Sequence, residues 1–320
     1  MSFHLIPSTR RQMLTATASV GAVAAMTLLG PFESQAAESG VESDPNFWAL
    51  IADTHISEDA SAVSRGVNMF DNFNRVIDSV LAETVRPVGA IINGDCAYLK
   101  GKPGDYANFK RCVDRLLAAG MSVHATMGNH DDRGNFYDAM SGGKAGETLV
   151  EGKHVTVIET SHANLFLVDS LQQVDHVTGE LGSAQLDWLN AALAARSGKL
   201  AIIVGHHNPQ VSPVEPGKLL TGLADTAALF DTMDRHSNVK AYVYGHTHDW
   251  KLTTTPGGTH LVNQPPSAYV FNPARPSGWT RLRLSPAAVQ FQLVSVDTLH
   301  PQHGEQLQLA YASKAGTTLP

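Results

Sequence analysis

The sequence predicts an α/β fold built on parallel strand-helix-strand units, and three observations predict it. Apolar runs at 47–52, 88–92 and 121–127 alternate with amphipathic segments at 70–86 and 106–119, the signature of βαβ connections. All five short strings of carboxylate, carboxamide and imidazole residues follow runs that read as buried strands. Ligand groups in parallel sheets gather at carboxyl strand ends. Finally, 320 residues, 43% of them hydrophobic, suffice for one large domain.

Each element has a local cause. Residues 47–52 form a short apolar run ending at Asp53. Phe70, Phe73, Val76, Ile77, Val80, Leu81 and Val85 recur at helical spacing, predicting a helix to about Arg86, where Pro87 stops it. Residues 88–92 deliver Asn93-Gly94-Asp95. Gly120 ends the helix over 106–119. Residues 121–127 deliver Gly128-Asn129-His130-Asp131. Two short strands, 155–159 and 164–168, are predicted antiparallel across a turn-rich tetrapeptide. A helix over 183–196 starts at Ser183 as cap. Strands 200–204 and 239–244 flank a helix over 225–236 and end at Gly205-His206 and Gly245-His246. Strand-like segments close the chain at 259–263, 279–284 and 289–296.

The first 36 residues read as an address. Ser8-Thr9-Arg10-Arg11-Gln12-Met13-Leu14 resembles a twin-arginine export motif, with Met13 where Phe is usual. The apolar run 16–29 is short for a membrane span, and Ser34-Gln35-Ala36 offers a cleavage site. The expectation is an exported chain, periplasmic or secreted, whose partner is the twin-arginine machinery and whose mature form begins near Ala37. A retained N-terminal membrane anchor is the alternative. Residues 37–46 read as a polar linker and 47–320 as one catalytic domain. The two cysteines, Cys96 and Cys112, read as packed thiols, with a disulfide as the alternative in an oxidising compartment. Net charge is -7, no basic stripe is present and aromatics are 7%, so no nucleic-acid surface is expected. Nothing in the sequence sets an oligomeric state.

The five strings carry the chemistry. Asp53-Thr54-His55 places two donor groups at period two, facing one way. Gly94-Asp95 alone is ordinary turn chemistry. In Gly128-Asn129-His130-Asp131, glycine allows close backbone approach while Asn129 and His130 supply an oxygen donor and a proton donor. Gly205-His206-His207 could be a packed histidine pair. Gly245-His246-Thr247-His248 offers alternating imidazoles that reach two neighbouring ions. Hard carboxylates with borderline imidazoles suit two adjacent divalent cations.

Together and in this order, the strings resemble the calcineurin-like metallophosphoesterase superfamily, whose motifs run D-x-H, GD-x-x-D/Y, GNH-D/E, GH or H-x-P, and GH-x-H. The likeness spans residues 53 to 248. It implies a four-layer α/β/β/α sandwich with the motifs on loops at one rim. It implies two divalent or mixed-valence ions (Mn, Fe or Zn) and a small phosphorylated substrate. Asp53, His55 and His248 would hold one ion, Asn129, His206 and His246 the other, with Asp95 shared. His130 would sit over the phosphate and stabilise or protonate the leaving oxygen, with Asp131 orienting it. The implied reaction is hydrolysis of a phosphomonoester or phosphodiester by a hydroxide formed on the metal pair.

Departures from the pattern define the alternatives. Tyr98 stands where Asp or Glu is frequent. Tyrosine there resembles purple acid phosphatases, but His55 stands where those enzymes have glycine, so Tyr98 is expected to pack or to support a ligand from behind. His206 is preferred over His207 as ligand because it lies nearest the strand end, leaving His207 against substrate or behind the site. Arg133 in Asn129-His130-Asp131-Asp132-Arg133 resembles the class III cyclic nucleotide phosphodiesterase branch, and either neutralises substrate phosphate or forms a salt bridge. Cys96 adjoins the bridging aspartate and is expected to pack. A non-catalytic metal-binding module with the same fold is the other alternative. The segments 134–146, 210–222 and 264–278 are Gly/Pro-rich candidates for the substrate pocket.

Overall fold

Two six-stranded mixed sheets stack face to face, with helices outside each, in the computed structural model, which describes residues 42–141 and 149–310. The expected export segment 1–36 and residues 37–41 lie outside the described residues, as do 142–148, which include the end of the pocket segment 134–146. Among the described residues no helix is long and apolar enough to cross a membrane.

In chain order the elements are β1 (Ser43–Ala52), β2 (Val63–Ser64), β3 (Val67–Asn68), α1 (Met69–Leu81), β4 (Arg86–Asn93), α2 (Pro103–Ala118), β5 (Ser122–Thr126) and α3 (Arg133–Ser141). They continue with β6 (Thr156–Glu159), β7 (Ala163–Leu167), α4 (Ser183–Ala195), β8 (Leu200–Val204), α5 (Thr226–Asp234) and β9 (Val239–Tyr244). The tail is β10 (Lys251–Thr254), β11 (His260–Asn263), β12 (Gly278–Leu284), β13 (Ala288–Ser295) and β14 (Gln306–Ala310). One sheet runs β14-β13-β12-β1-β4-β5 and the other β10-β11-β9-β8-β7-β6. Strands β1, β4 and β5 are mutually parallel, as are β7, β8, β9 and β11.

The layering follows from side-chain alternation along each strand. In β1, Phe47, Ala49 and Ile51 face Phe73, Val76 and Ile77 of α1 and Phe109, Val113 and Leu116 of α2. The intervening Trp48 and Leu50 face the second sheet, meeting Leu165, Ile202 and Val243. On the far side, Phe166, Ile203 and Tyr242 pack under Leu189 and Leu193 of α4 and Leu229 and Met233 of α5. This is the four-layer α/β/β/α order.

Several boundaries differ from expectation. β1 begins at Ser43, so the end of the predicted linker is strand: Asp44 pairs with Pro87. Helix α1 stops at Leu81 rather than Arg86, because Arg86-Pro87 is already strand β4; β5 pairs only from Gly89 onward, so Pro87 sits outside that ladder. Ser183 is the first residue of α4 and makes no cap; Asp225 instead accepts the Leu181 and Gly182 amides, at 3.0 and 2.8 Å. Residues 134–141, expected within a pocket loop, lie in α3, anchored by buried Phe136 and Met140. Strands β6 and β7 are antiparallel, as expected. Cys96 and Cys112 are both buried, free thiols in one apolar layer.

Candidate metal centre and active site

The carboxyl ends of β1, β4, β5, β8 and β9 open onto one rim. Asn93, at the end of β4, ties the two sheets together beneath it. Its side-chain amide donates to Gln264 Oε1 (2.8 Å) and to the Gly205 carbonyl (3.1 Å), while its Oδ1 accepts from Thr126 Oγ1 (2.7 Å). Its own carbonyl accepts from His206 Nδ1 at 2.9 Å. No motif marked Asn93; its only sequence signal is a polar residue ending a buried strand.

Asp53, His55, Asp95, His246 and His248 all have positive φ, between 46° and 65°. This left-handed region is costly for non-glycine residues and clusters at functional sites. Glycines precede the motif residues for a packing reason. A Cβ on Gly128 would stand 2.2 Å from Asp95 Oδ1, and one on Gly94 would stand 2.5 Å from the His206 ring.

The donor atoms converge. Asp53, His55 and His248 offer ligand atoms within 4.8 Å of one another, and so do Asp95, His206 and His246. Asp95 stands between the sets: its Oδ2 is 3.6 Å from His55 Nε2 and 3.2 Å from His206 Nε2. Its Oδ1 accepts the His130 amide at 2.9 Å. His55 Nε2 and His248 Nε2 face each other at 3.0 Å.

Backbone carbonyls fix which nitrogen of each imidazole faces inward. His206 Nδ1 donates to Asn93, His248 Nδ1 to the Tyr269 carbonyl (2.5 Å) and His246 Nε2 to the Thr221 carbonyl (2.8 Å). The inward nitrogens of His246 and His248 keep their lone pairs, and a carbonyl behind each ring is the usual arrangement for metal-ligating histidine. Burial lowers the His248 pKa to about 4 and the His246 pKa to about 3, so both rings are neutral donors. Burial pushes the Asp53 carboxyl up to about 7 despite the His206 charge, with the Asp95 charge adding to the rise. Burial also opposes charge on His206, but the Asp95 and Asp53 carboxylates raise its pKa to about 9. Asp95 is held well below the usual range against the burial penalty, with His206 and His130 opposite it.

Two buried atoms complete the set. Asn129 Oδ1 and His206 Nε2 have no hydrogen-bond partner of normal geometry among the described residues. Unpartnered buried polar atoms are costly, and cations at the two clusters, displacing any proton from His206, would satisfy both. The residues therefore fit a pair of divalent ions: one between Asp53, His55 and His248, one between Asn129, His206 and His246, with Asp95 common to both.

The other expected site residues separate. His130 lines the cavity above the cluster, and its Nδ1 donates to the Leu99 carbonyl at 2.7 Å. The carboxylate nearest its ring is Asp175, at 3.7 Å, which the sequence reading missed. Asp175 has a left-handed backbone, φ 59°, and its amide bonds the Asn129 carbonyl at 2.7 Å. Asp131 does not orient His130. It is fully buried and accepts the Gly128, Ala97 and Cys96 amides and the Tyr106 hydroxyl, at 2.9, 3.1, 3.2 and 3.1 Å. It clamps the β4 and β5 loops to each other. Arg133 does not face substrate either: its guanidinium pairs with buried Asp169 through two bonds, 2.7 and 2.9 Å. His207 bonds Ser170 Oγ through Nδ1 (2.7 Å) and packs behind His246, 4.5 Å between rings. Tyr98 is half-buried against Met69, Ala268 and Tyr269, edge-on to His55. Among the described residues of the three pocket segments, Thr221, Tyr269 and Phe271, from two of them, line the cavity, which holds about 380 Å³.

A model of the calcineurin-like phosphoesterase family matches residues 49–250. The chain belongs to the calcineurin-like phosphoesterase family. Such a chain is a metal-dependent hydrolase of phosphate esters. A probable cyclic nucleotide phosphodiesterase of Rhodococcus erythropolis is 30% identical over 214 residues, 67% of this chain and 68% of the relative. A 3',5'-cyclic adenosine monophosphate phosphodiesterase of Pseudomonas aeruginosa is 25% identical, covering 74% of this chain and 81% of the relative. Among solved structures, a dimetal phosphatase from Danio rerio superposes with a TM-score of 0.63 at 15% identity, covering 84% of this chain and all 100% of that one. At that identity the likeness is one of fold. The phosphoesterase fold expected from the motifs is therefore the one this chain adopts.

Proposed function

We propose that this phosphoesterase hydrolyses phosphodiesters with two divalent cations, and that cyclic nucleotides are its substrate class. The observation that carries the dinuclear reading is Asp95, set between two imidazole clusters beside the unpartnered Asn129 Oδ1. The substrate class is supported by the activities named for the relatives above.

Asp53, His55 and His248 would hold one cation and Asn129, His206 and His246 the other, with Asp95 shared. Bound there, the cations supply Lewis-acid charge for the phosphoryl oxygens and a nucleophile from water near neutral pH. The protein's own residues do the rest. The carbonyls of Asn93, Tyr269 and Thr221 hold three imidazoles in their donor tautomers. The left-handed turns aim the carboxylates inward. The Leu99 carbonyl accepts from His130 Nδ1 and so orients the ring; with both ring nitrogens protonated, its Nε2 donates to the leaving oxygen. Negative charge develops on that leaving oxygen as its bond to phosphorus breaks, which is where a proton donor is most effective.

The test is a panel of bis-p-nitrophenyl phosphate, p-nitrophenyl phosphate and cyclic AMP with Mn, Fe or Zn added. Turnover of both diesters, lost on chelation and regained with metal, is expected. Selective turnover of the monoester would overturn the diester reading. The export reading is tested separately by N-terminal sequencing of the mature protein. A start near Ala37 is expected, and an intact Met1 end would reject processing.

A further inference from the structure

The cavity over the metal centre has one apolar wall, and metal binding does not account for it. Tyr269 and Phe271 form it, on the loop between β11 and β12. Tyr269 stacks on His55 and His248, with ring centroids 5.2 and 4.8 Å apart, and is buried. Phe271 also stacks on His248, at 4.3 Å and 23°, yet is 51% exposed. Half a phenyl ring facing the cavity mouth is more apolar surface than backing an imidazole requires.

A cation sits on the same wall. Strands β2 and β3 make a tight hairpin whose turn residues Arg65 and Gly66 have φ of 50° and 80°. Positive φ at both centres is the geometry of a short, stiff two-residue turn. The hairpin is anchored to the wall: Ala62 and Val67 pack on Met69, Ala268 and Tyr269. It holds the Arg65 guanidinium carbon 4.8 Å from the Phe271 centroid and 5.9 Å from that of Tyr269. Among the described residues Arg65 has no carboxylate partner and is exposed. A planar guanidinium lying over a half-exposed aromatic ring, both open to solvent, makes a flat surface that suits a π system with polar edges.

We infer that Phe271 and Arg65, backed by Tyr269, stack the base of a nucleotide whose phosphate lies at the metal centre. This rests on the phosphodiester reading for where the phosphate sits, and adds which group of the substrate is recognised. Phe271 touches His248, a ligand candidate for the first ion, so a base joined to that phosphate through one sugar comes within reach of the wall. Base stacking tolerates sequence, so adenine and guanine nucleotides are both accepted, while an alkyl or sugar ester gains little.

Equilibrium binding separates this claim from the catalytic one. Titration calorimetry on the metal-loaded full chain compares adenosine 5'-monophosphate with ribose 5-phosphate. The wild type is expected to bind the nucleotide about tenfold more tightly, the factor one stacked base supplies. Phe271→Leu, which keeps apolar volume without the ring, and Arg65→Ala are each expected to close most of that gap. Both should raise KM for cyclic AMP about as much. Equal affinity for the two ligands, binding of neither, or an unchanged gap in Phe271→Leu would overturn the inference. Absence of any phosphoesterase turnover with the nucleotide preference intact would instead defeat the proposed reaction and leave the stacking site standing.

Discussion

Asp131→Ala is expected to remove about 3–5 kcal/mol of folding stability, the range for breaking a buried, fully bonded charge. The figure comes from what the carboxylate holds. Three backbone amides, of Gly128, Ala97 and Cys96, and the Tyr106 hydroxyl point at its two oxygens. The amides belong to the loops that carry Asp95 and Asn129, and none can turn to another acceptor. Each buried donor left unpaired costs about 1–3 kcal/mol. Two terms work the other way. Burial, with the Asp95 charge, raises the Asp131 carboxyl to about 6, so the native anion is itself penalised; and water can enter the space left by truncation. The net is still a large share of the ~5–15 kcal/mol that holds a domain folded. Asp131→Asn keeps one acceptor but aims an amide at other donors, so it should fall between wild type and Ala. Urea unfolding of the chelated protein measures this without metal linkage. Near-wild-type stability of Asp131→Ala, with turnover lost, would refute the clamp and restore the expected role beside His130.

Three further perturbations follow from the same geometry. His130→Ala should keep both metals by elemental analysis and cut kcat roughly 10²–10⁴-fold, the usual worth of a proton donor; retained turnover would remove His130 from the mechanism. Arg133→Ala should lower stability by about 3 kcal/mol through the unpaired Asp169, a buried charge, and leave KM for cyclic AMP unchanged; a KM defect alone would return Arg133 to the substrate. His154 is buried between Ala125 and Tyr137, and burial lowers its pKa from 6.5 to about 4. The unfolded chain then binds more protons between those values, so stability is full above pH 6.5 and falls as pH drops toward 4, by up to about 3 kcal/mol. Urea midpoints at pH 7.5 and 4.5 should differ less in His154→Gln, and an equal difference would exclude His154 as the source.

The candidate metal centre was legible in the sequence because its candidate ligands stand at strand ends in fixed strings. Where each string lies follows from the apolar run before it, and the structure brings all seven expected ligand residues to one rim. The outer layers were legible through helical spacing in α1 and α2. Stacking of the two sheets came only from the family resemblance, since periodicity says which face of a strand is buried but not what covers it. Adjacent residues were harder to resolve. His130 and Asp131 read as a working pair, yet consecutive side chains leave the backbone in different directions, so one lines the cavity and the other faces the core. Arg133 read as a cation near phosphate, and its partner Asp169 lies 36 positions away. Asp175 gave no signal, since a turn aspartate has no spacing to betray it, and Phe271 was legible only as part of the Gly/Pro-rich segment 264–278. Helix α3 was hidden by Gly134 and by an apolar pattern reduced to two core residues.

Anomalous scattering from crystals loaded with manganese or zinc would test the dinuclear centre most directly. Two peaks are expected, one among Asp53, His55 and His248 and one among Asn129, His206 and His246, with Asp95 touching both. A single peak, or ions bound away from Asp95 at saturating metal, would contradict it.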